Sequence, residues 1–150
     1  MDTVNFFHFT ALGFDFGLKR IGVAVGQTLT QSANPIAILK AKHGIPNWEK
    51  VRELIEIWKV DLLVVGMPYN MDGSEQFLTH ATRKFINKLQ LKSGLPVHTV
   101  DERLTTFEAK RLLWFEHKFQ KKFKMPQEFD SYASKLILEQ WLQENVNRIK

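Results

Sequence analysis

Two short segments of alternating apolar residues, 11–16 and 21–26, lie only four residues apart in the chain. Apolar side chains at every second position indicate a β-strand with one buried face. The residues between the segments, Gly-Leu-Lys-Arg, fit a tight turn. The pair therefore predicts a β-hairpin near the start of the chain, and this hairpin constrains the fold more than any other feature of the sequence.

The elements after the hairpin alternate between strands and helices. The continuous apolar run at 62–65 is typical of a parallel strand that is buried on both faces. The order predicts one domain with a mixed five-stranded sheet flanked by helices, preceded by an extension at residues 1–10. In chain order we predict a strand at 36–39, a helix capped by Asn47, a strand at 62–65 ending at Gly66, a helix capped by Ser74, a strand at 96–100, a helix opened by the Thr105–Glu108 capping box, and a last helix from 127 to about 147.

The composition excludes several classes of protein. Among the 150 residues, 44% are hydrophobic and none is cysteine. A disulfide framework, a cysteine-ligated zinc site and a thiol nucleophile are therefore excluded. No apolar run approaches the roughly 20 residues that span a bilayer, and the first residues do not resemble a secretion signal. We expect a cytoplasmic protein.

The chain is basic, with 21 Lys and Arg against 16 Asp and Glu, which gives a net charge of +5. An excess of positive charge predicts an anionic partner, and nucleic acid is the first candidate. The densest basic stretch, 117–124, contains Lys118, Lys121, Lys122 and Lys124 and no acid. We predict that these lysines contact nucleic acid. The interleaved Phe115, Phe119 and Phe123 either stack on bases or, as we favour, pack on the core.

Asp15 is the most informative single residue. It ends a hydrophobic strand on a face lined by small residues, and a carboxylate there must be solvated, hydrogen-bonded or bound to a cation. The alternative is that Asp15 caps the turn at Gly17 while the small face receives a closely packed helix. Asp15, Gly66 and Glu102 all stand at the carboxyl ends of predicted strands, where ligands of α/β proteins gather.

Two further acids could join Asp15. Asp101 and Glu102 point to opposite faces of their strand, so only one of them can enter a shared site, and the alternation alone does not choose between them. Asp130 lies in the first turn of the predicted last helix, where a carboxylate also stabilises the helix dipole. If Asp15, Glu102 and Asp130 converge, they form an oxygen-only site suited to Mg²⁺ or Mn²⁺, which supports phosphodiester cleavage.

Several cationic and polar residues surround these acids. Lys19 and Arg20 follow Asp15 in the turn, where they contact phosphates or simply face solvent. Asn70 and Ser74 stand on the loop after Gly66, beside the start of a helix that offers backbone N–H groups to a phosphate or is merely capped. Arg103 is either a phosphate contact or part of a structural ion pair.

Four segments in order resemble one family, the YqgF family of pre-16S rRNA nucleases, also described as Holliday-junction-resolvase-like. The resemblance covers about residues 11–145 and implies a ribonuclease-H-like fold, a bacterial cytoplasmic protein that matures the 5′ end of 16S rRNA, and metal-binding catalytic acids at Asp15, Glu102 and Asp130. Junction resolvases often have a further acid three residues after the last one, where this chain has Ala133. The segments are 13–26, 65–74, 100–106 and 130–134.

Three other functions remain as alternatives. The first is a non-catalytic nucleic-acid-binding module of the same fold, and the second is a Holliday junction resolvase. The third comes from residues 15–25, which also resemble the first phosphate loop of the actin and sugar-kinase ATPases. Those proteins close two such domains on a nucleotide, whereas this chain is predicted to have one.

Overall fold

The computed structural model describes residues 8–103 and 125–149, with the side chains of the second range described from 132 to 145. Within these ranges the strands are β1 (Thr10–Asp15), β2 (Arg20–Gln27), β3 (Ser32–Lys42), β4 (Ile45–Pro46), β5 (Leu62–Met67) and β6 (Val97–Asp101). The helices there are α1 (Trp48–Trp58), α2 (Phe77–Ser93) and α3 (Met125–Ile149). The strands form one sheet in the order β4-β3-β2-β1-β5-β6.

The sheet is mixed, as the sequence predicts. β1 to β4 are joined by antiparallel pairs, and β5 and β6 continue the other side of β1 in parallel. The predicted hairpin is confirmed: β1 pairs with β2 in a register that runs from Thr10 opposite Gln27 to Asp15 opposite Gly22. β5 is buried along its whole length, which confirms a strand covered on both faces.

The predicted number of five strands is one too few. β3 begins at Ser32, before the predicted start at residue 36, because the sheet accommodates Pro35 at an irregularity in the pairing between β2 and β3. A bulge tolerates a residue that has no backbone N–H. The missed strand is the two-residue β4, which turns back on β3 through His43 and Gly44, whose φ angles are 53° and 80°. Two positive φ angles are typical of a tight hairpin turn.

The helices start close to their predicted positions, with one wrong cap. Asn47 caps α1 by accepting a hydrogen bond from the backbone N–H of Glu49 at 3.0 Å. The predicted cap of α2 at Ser74 is wrong, because α2 starts at Phe77 and its N-terminus is capped by a capping box of Gln76 and Thr79. The helix predicted from Thr105 lies outside the described residues. No described helix combines the length and apolar character needed to cross a membrane.

The last helix is longer than predicted. α3 runs from Met125 to Ile149 rather than from 127 to about 147, so Asp130 is its sixth residue and lies in the second turn, not the first. Of the predicted N-terminal extension at 1–10, Thr10 already belongs to β1. The backbone N–H of Phe9 is bound to Thr28 Oγ1 at 2.9 Å.

Helices cover both faces of the sheet. α1 and α2 pack on the face that carries Leu12 and Phe14, and α3 packs on the face that carries Ala11. Small residues bring α3 close to the sheet: a Cβ added to Gly13 would lie 2.7 Å from Cβ of Leu138. The small face therefore receives a closely packed helix, which was the structural alternative for this pattern.

Candidate functional site

Asp15 and Glu102 meet at the carboxyl edge of the parallel strands. Asp15 ends β1, and the register of β1 with β5 places it level with Gly66. Gly66 in turn pairs with Val100 of β6, and Glu102 follows two residues later. The carboxyl groups of Asp15 and Glu102 are hydrogen-bonded to each other. Three neighbouring strands thus bring two of the three predicted acids together.

Glu102 rather than Asp101 faces this site. Val100 and Glu102 are buried, with 5% and 9% of their surface exposed, whereas Asp101 is exposed. Asp101 is the last residue of β6 and Glu102 follows it directly, with the first side chain exposed and the second buried. Asp101 pairs with Arg103 instead, accepting hydrogen bonds from Nε of Arg103 at 2.9 Å on both carboxylate oxygens. The choice that alternation alone left open is thus made by the structure.

The environment of Glu102 disfavours its charged form. Burial raises the pKa of Glu102 to about 7, and the negative charge of Asp101 acts in the same direction. The hydrogen bond with Asp15 opposes both effects. In the described part of the chain, Oε2 of Glu102 is buried and has no hydrogen-bond partner. A buried carboxylate oxygen without a donor is costly unless a cation or a proton reaches it.

Gly66 provides the space that this oxygen occupies. A Cβ added to Gly66 would lie 2.6 Å from Oε2 of Glu102 and 2.6 Å from Cδ1 of Ile137 in α3. Any side chain at position 66 would therefore displace either the carboxylate or the helix. In the sequence, the signal for this role is a glycine near the end of an otherwise fully apolar strand, which indicates a close approach by another group.

The donor set fits a hard divalent cation. Among the described residues, no three Asp, Glu or His side chains lie close enough together to hold a metal ion. Two carboxylates do lie side by side there, and one of their oxygens has no hydrogen-bond partner. Carboxylate oxygens are the ligands that Mg²⁺ and Mn²⁺ prefer. Asp130 belongs to α3, and its side chain lies outside the described residues, so its place at the site stays a prediction.

Arg103 fastens the loop after β5 to the end of β6. Besides its ion pair with Asp101, Nη1 of Arg103 donates to the carbonyl oxygen of Met71 at 3.2 Å, and the guanidinium lies 5.8 Å from the centre of the Tyr69 ring. The hydrogen bonds from Arg103, together with its positive charge, hold the pKa of Asp101 below the usual range. The structural ion pair is therefore present, and phosphate contact by Arg103 stays a prediction.

Asn70 and Ser74 stabilise the same loop. Nδ2 of Asn70 donates to Oγ of Ser74 at 3.0 Å, and the Ser74 hydroxyl donates to Asp72 at 2.6 Å. The hydrogen bonds from Ser74 lower the pKa of Asp72. Both residues are exposed and serve the turn at 70–74, not the first turn of α2. Nucleic-acid contact by these two residues stays a prediction.

Lys19 and Arg20 border an open groove that contains Asp15. The groove has a volume of about 380 Å³ and runs between the β1–β2 turn and Leu78 of α2. Both cationic side chains are exposed. The turn therefore brings positive charge beside the first acid, as an anionic substrate requires. The predicted contacts Lys118, Lys121, Lys122 and Lys124, with Phe115, Phe119 and Phe123, lie outside the described residues.

Solved structures with the same architecture define the class of fold. Thermus thermophilus RuvC in complex with Holliday junction substrate superposes with a TM-score of 0.56 at 15% identity, covering 93% of this chain and 98% of that one. A fowlpox virus resolvase in complex with Holliday junction DNA gives a TM-score of 0.52 at 14% identity, covering 90% and 97%. The fold is the ribonuclease-H-like fold of the RuvC resolvases.

Sequence comparison identifies the family within this class. A family model described as "RuvX: Holliday junction resolvase" matches residues 9–144, and the chain belongs to this family. A Coxiella burnetii protein is 67% identical over 137 residues, covering 91% of this chain and 94% of the relative. A Legionella pneumophila protein is 49% identical over 134 residues, covering 89% and 95%. Both relatives are named "Putative pre-16S rRNA nuclease", so the resemblance found in the sequence is confirmed.

Proposed function

We propose that this chain is a divalent-metal-dependent nuclease that cleaves phosphodiester bonds in structured RNA, and that its substrate is the 5′ end of precursor 16S rRNA in the cytoplasm. The observation that carries the proposal is the pair of Asp15 and Glu102, with a buried carboxylate oxygen that has no hydrogen-bond partner in the described part of the chain. The relatives' names support the RNA substrate.

Asp15, Glu102 and Asp130 would hold Mg²⁺ or Mn²⁺. When bound in a site of this kind, such a cation supplies a Lewis acid and a water of lowered pKa for in-line phosphodiester cleavage. Position 130 precedes position 137 by seven residues, which is two helical turns, so the two positions share a face of α3. Ile137 already packs beside Gly66 and Glu102, which supports an approach of this face to the site.

Side chains of the protein control the proton at the site and would bind the substrate strand. Glu102 keeps a proton up to about neutral pH, and it must release this proton before both carboxylates can bind a cation. Lys19 and Arg20, on the groove that contains Asp15, would hold the phosphates of the strand being cut. Asn70, Ser74 and Arg103 would contact the same strand from the loop after β5.

Holliday junction resolution is the second candidate, because the family description and the two solved structures named above concern junction resolvases. The chain departs from such enzymes at Ala133, a fully buried residue at the position where resolvases often have a further acid. An alanine offers no oxygen to a metal ion there. This favours the RNA substrate over the branched DNA.

The test compares cleavage of two substrates, a precursor RNA containing the 16S 5′ end and a four-way DNA junction, in Mn²⁺ and in EDTA. We expect cleavage of the RNA in Mn²⁺ alone. Asp15→Asn and Glu102→Gln should each reduce it by more than about a hundredfold, because even an outer-shell partner of a metal contributes about 10–100-fold.

Asp101→Asn is the matched control, since it removes the neighbouring carboxylate from the opposite face of the strand, and it should retain cleavage. Equal cleavage in EDTA, or equal activity of Asp15→Asn, would contradict the metal site. Binding without cleavage of either substrate would instead identify a non-catalytic binding module.

A further inference from the structure

The connection between β5 and α2 exposes large apolar side chains close to the site. Phe77, the first residue of α2, has 75% of its surface exposed, and Met71 on the same connection has 77%. The next residue, Leu78, packs against the core and lines the groove that contains Asp15. The Phe77 ring is therefore turned to solvent within one residue of the groove.

The start of α2 is held in place by hydrogen bonds to the end of β5. Oγ1 of Thr79 donates to the carbonyl oxygen of Pro68, and Nε2 of Gln76 donates to the same oxygen at 3.3 Å. Residues on both sides of Phe77 are thus anchored two residues beyond Gly66. The exposed ring stands on a fixed element and not at a freely moving loop tip.

The opposite wall of the groove is cationic. Lys19 and Arg20 line it from the β1–β2 turn, and the chain has a net charge of +5. Positive charge along one wall, and an exposed aromatic ring on the residue next to Leu78 of the other wall, match the two parts of a nucleotide, its phosphate and its base. This charge complementarity favours nucleic acid over an apolar peptide as the occupant.

We propose that Phe77 is a base-stacking residue that binds an unpaired nucleotide of the substrate next to the groove. The ring leaves water when it stacks on a base, and any base can serve because each has a π face. Base-paired nucleotides offer no free face, so Phe77 directs the site to strands with unpaired bases. This inference rests on the proposed function and specifies the kind of substrate that the site accepts.

The experiment measures binding in EDTA, so that cleavage does not enter. The probes are a short RNA carrying 2-aminopurine, used as a single strand and as a fully paired duplex. We expect the wild-type protein to quench the fluorescence of the single strand. Phe77→Ala should abolish the quenching and weaken single-strand binding roughly tenfold, the lower range for one stacked base. Duplex binding should stay unchanged, and Phe77→Tyr should restore both signals.

Leu91→Ala is the matched control, because Leu91 is 84% exposed near the other end of the same helix. It should bind like the wild type, and equal melting temperatures exclude misfolding. Unchanged quenching by Phe77→Ala, or an equal loss of single-strand and duplex binding, would overturn the inference. Quenching by a wild type that never cleaves in Mn²⁺ would support the base contact while the proposed nuclease function fails.

Discussion

The substitution Glu102→Gln should stabilise the metal-free protein above neutral pH, although it removes a residue of the proposed site. Glu102 is 9% exposed, and burial raises its pKa to about 7 from an ordinary 4.5. Glutamine has nearly the same shape and no charge at any pH. Its side-chain N–H₂ can donate to Asp15, which two ionised carboxylates cannot do for each other.

The magnitude follows from the two pKa values. At about pH 4 the carboxyl is protonated in both the folded and the unfolded state, and the substitution should change little. Between 4.5 and about 7 the folded state keeps a proton that the unfolded state has lost, so the free energy of unfolding of the wild type falls as pH rises. At 1.36 kcal/mol per pH unit the full loss above pH 7 is about 3 kcal/mol.

Melting curves in EDTA at matched ionic strength measure this difference. At about pH 8 the Glu102→Gln protein should melt roughly 6–12 °C above the wild type, and the gap should close by about pH 4. Asp101→Asn is the control on the other face: it removes the partly exposed ion pair with Arg103, which stabilises the fold above the ordinary pKa of 3.8, and also a charge that raises the pKa of Glu102. Because these two effects oppose each other, that variant should melt close to the wild type at about pH 8. A gap for Glu102→Gln that is independent of pH would refute the reasoning.

Three other experiments test further parts of the proposal. Gly66→Ala should lower the free energy of unfolding by about 1–3 kcal/mol through overpacking, and it should abolish cleavage. Adding Ile137→Val, which removes the Cδ1 contact, should restore part of the stability but not the activity. Full recovery of both stability and activity would contradict the placement of Glu102. Mn²⁺ at ten times its dissociation constant should stabilise the wild type by about 1.4 kcal/mol, and a response undiminished in Asp130→Asn would exclude that acid as a ligand. Replacing a lysine that contacts a phosphate with glutamine should reduce the slope of log K against log[salt] for RNA binding by about 0.7–0.9. An unchanged slope would show that the lysine makes no phosphate contact. The four lysines to test are Lys118, Lys121, Lys122 and Lys124.

Elements with strong periodicity could be predicted from the sequence, and elements set by pairing could not. The alternation at 11–16 and 21–26 specified the β1–β2 hairpin, and Asn47 specified the start of α1. β3 was predicted too short because Pro35 reads as a break, whereas the irregular pairing with β2 absorbs it. β4 has two residues, too few to show any period, and exists only through its pairing with β3.

The site was predictable to the extent that strand ends converge. Asp15, Gly66 and Glu102 were expected at one edge of the sheet, and the structure brings them together. The choice between Asp101 and Glu102 could not be made from the alternation, because it depends on which face of β6 is covered by α3. Ser74 failed as a helix cap for a related reason: a serine before an apolar run also serves turns, and here Asn70 and Asp72 hold it in the loop.

The row of small residues on the face below α3 has two different physical roles. At Gly13 the missing side chain lets Leu138 reach the sheet, so the row is a helix-packing surface. At Gly66 the same helix supplies Ile137, while the remaining space is filled by the Glu102 carboxylate. Helix packing therefore explains the small residue at Gly13, whereas space for a carboxylate explains the one at Gly66. Because α3 packs against both positions, the helix that carries Asp130 also helps to bury Glu102. The packing that stabilises the fold thus raises the pKa of that acid.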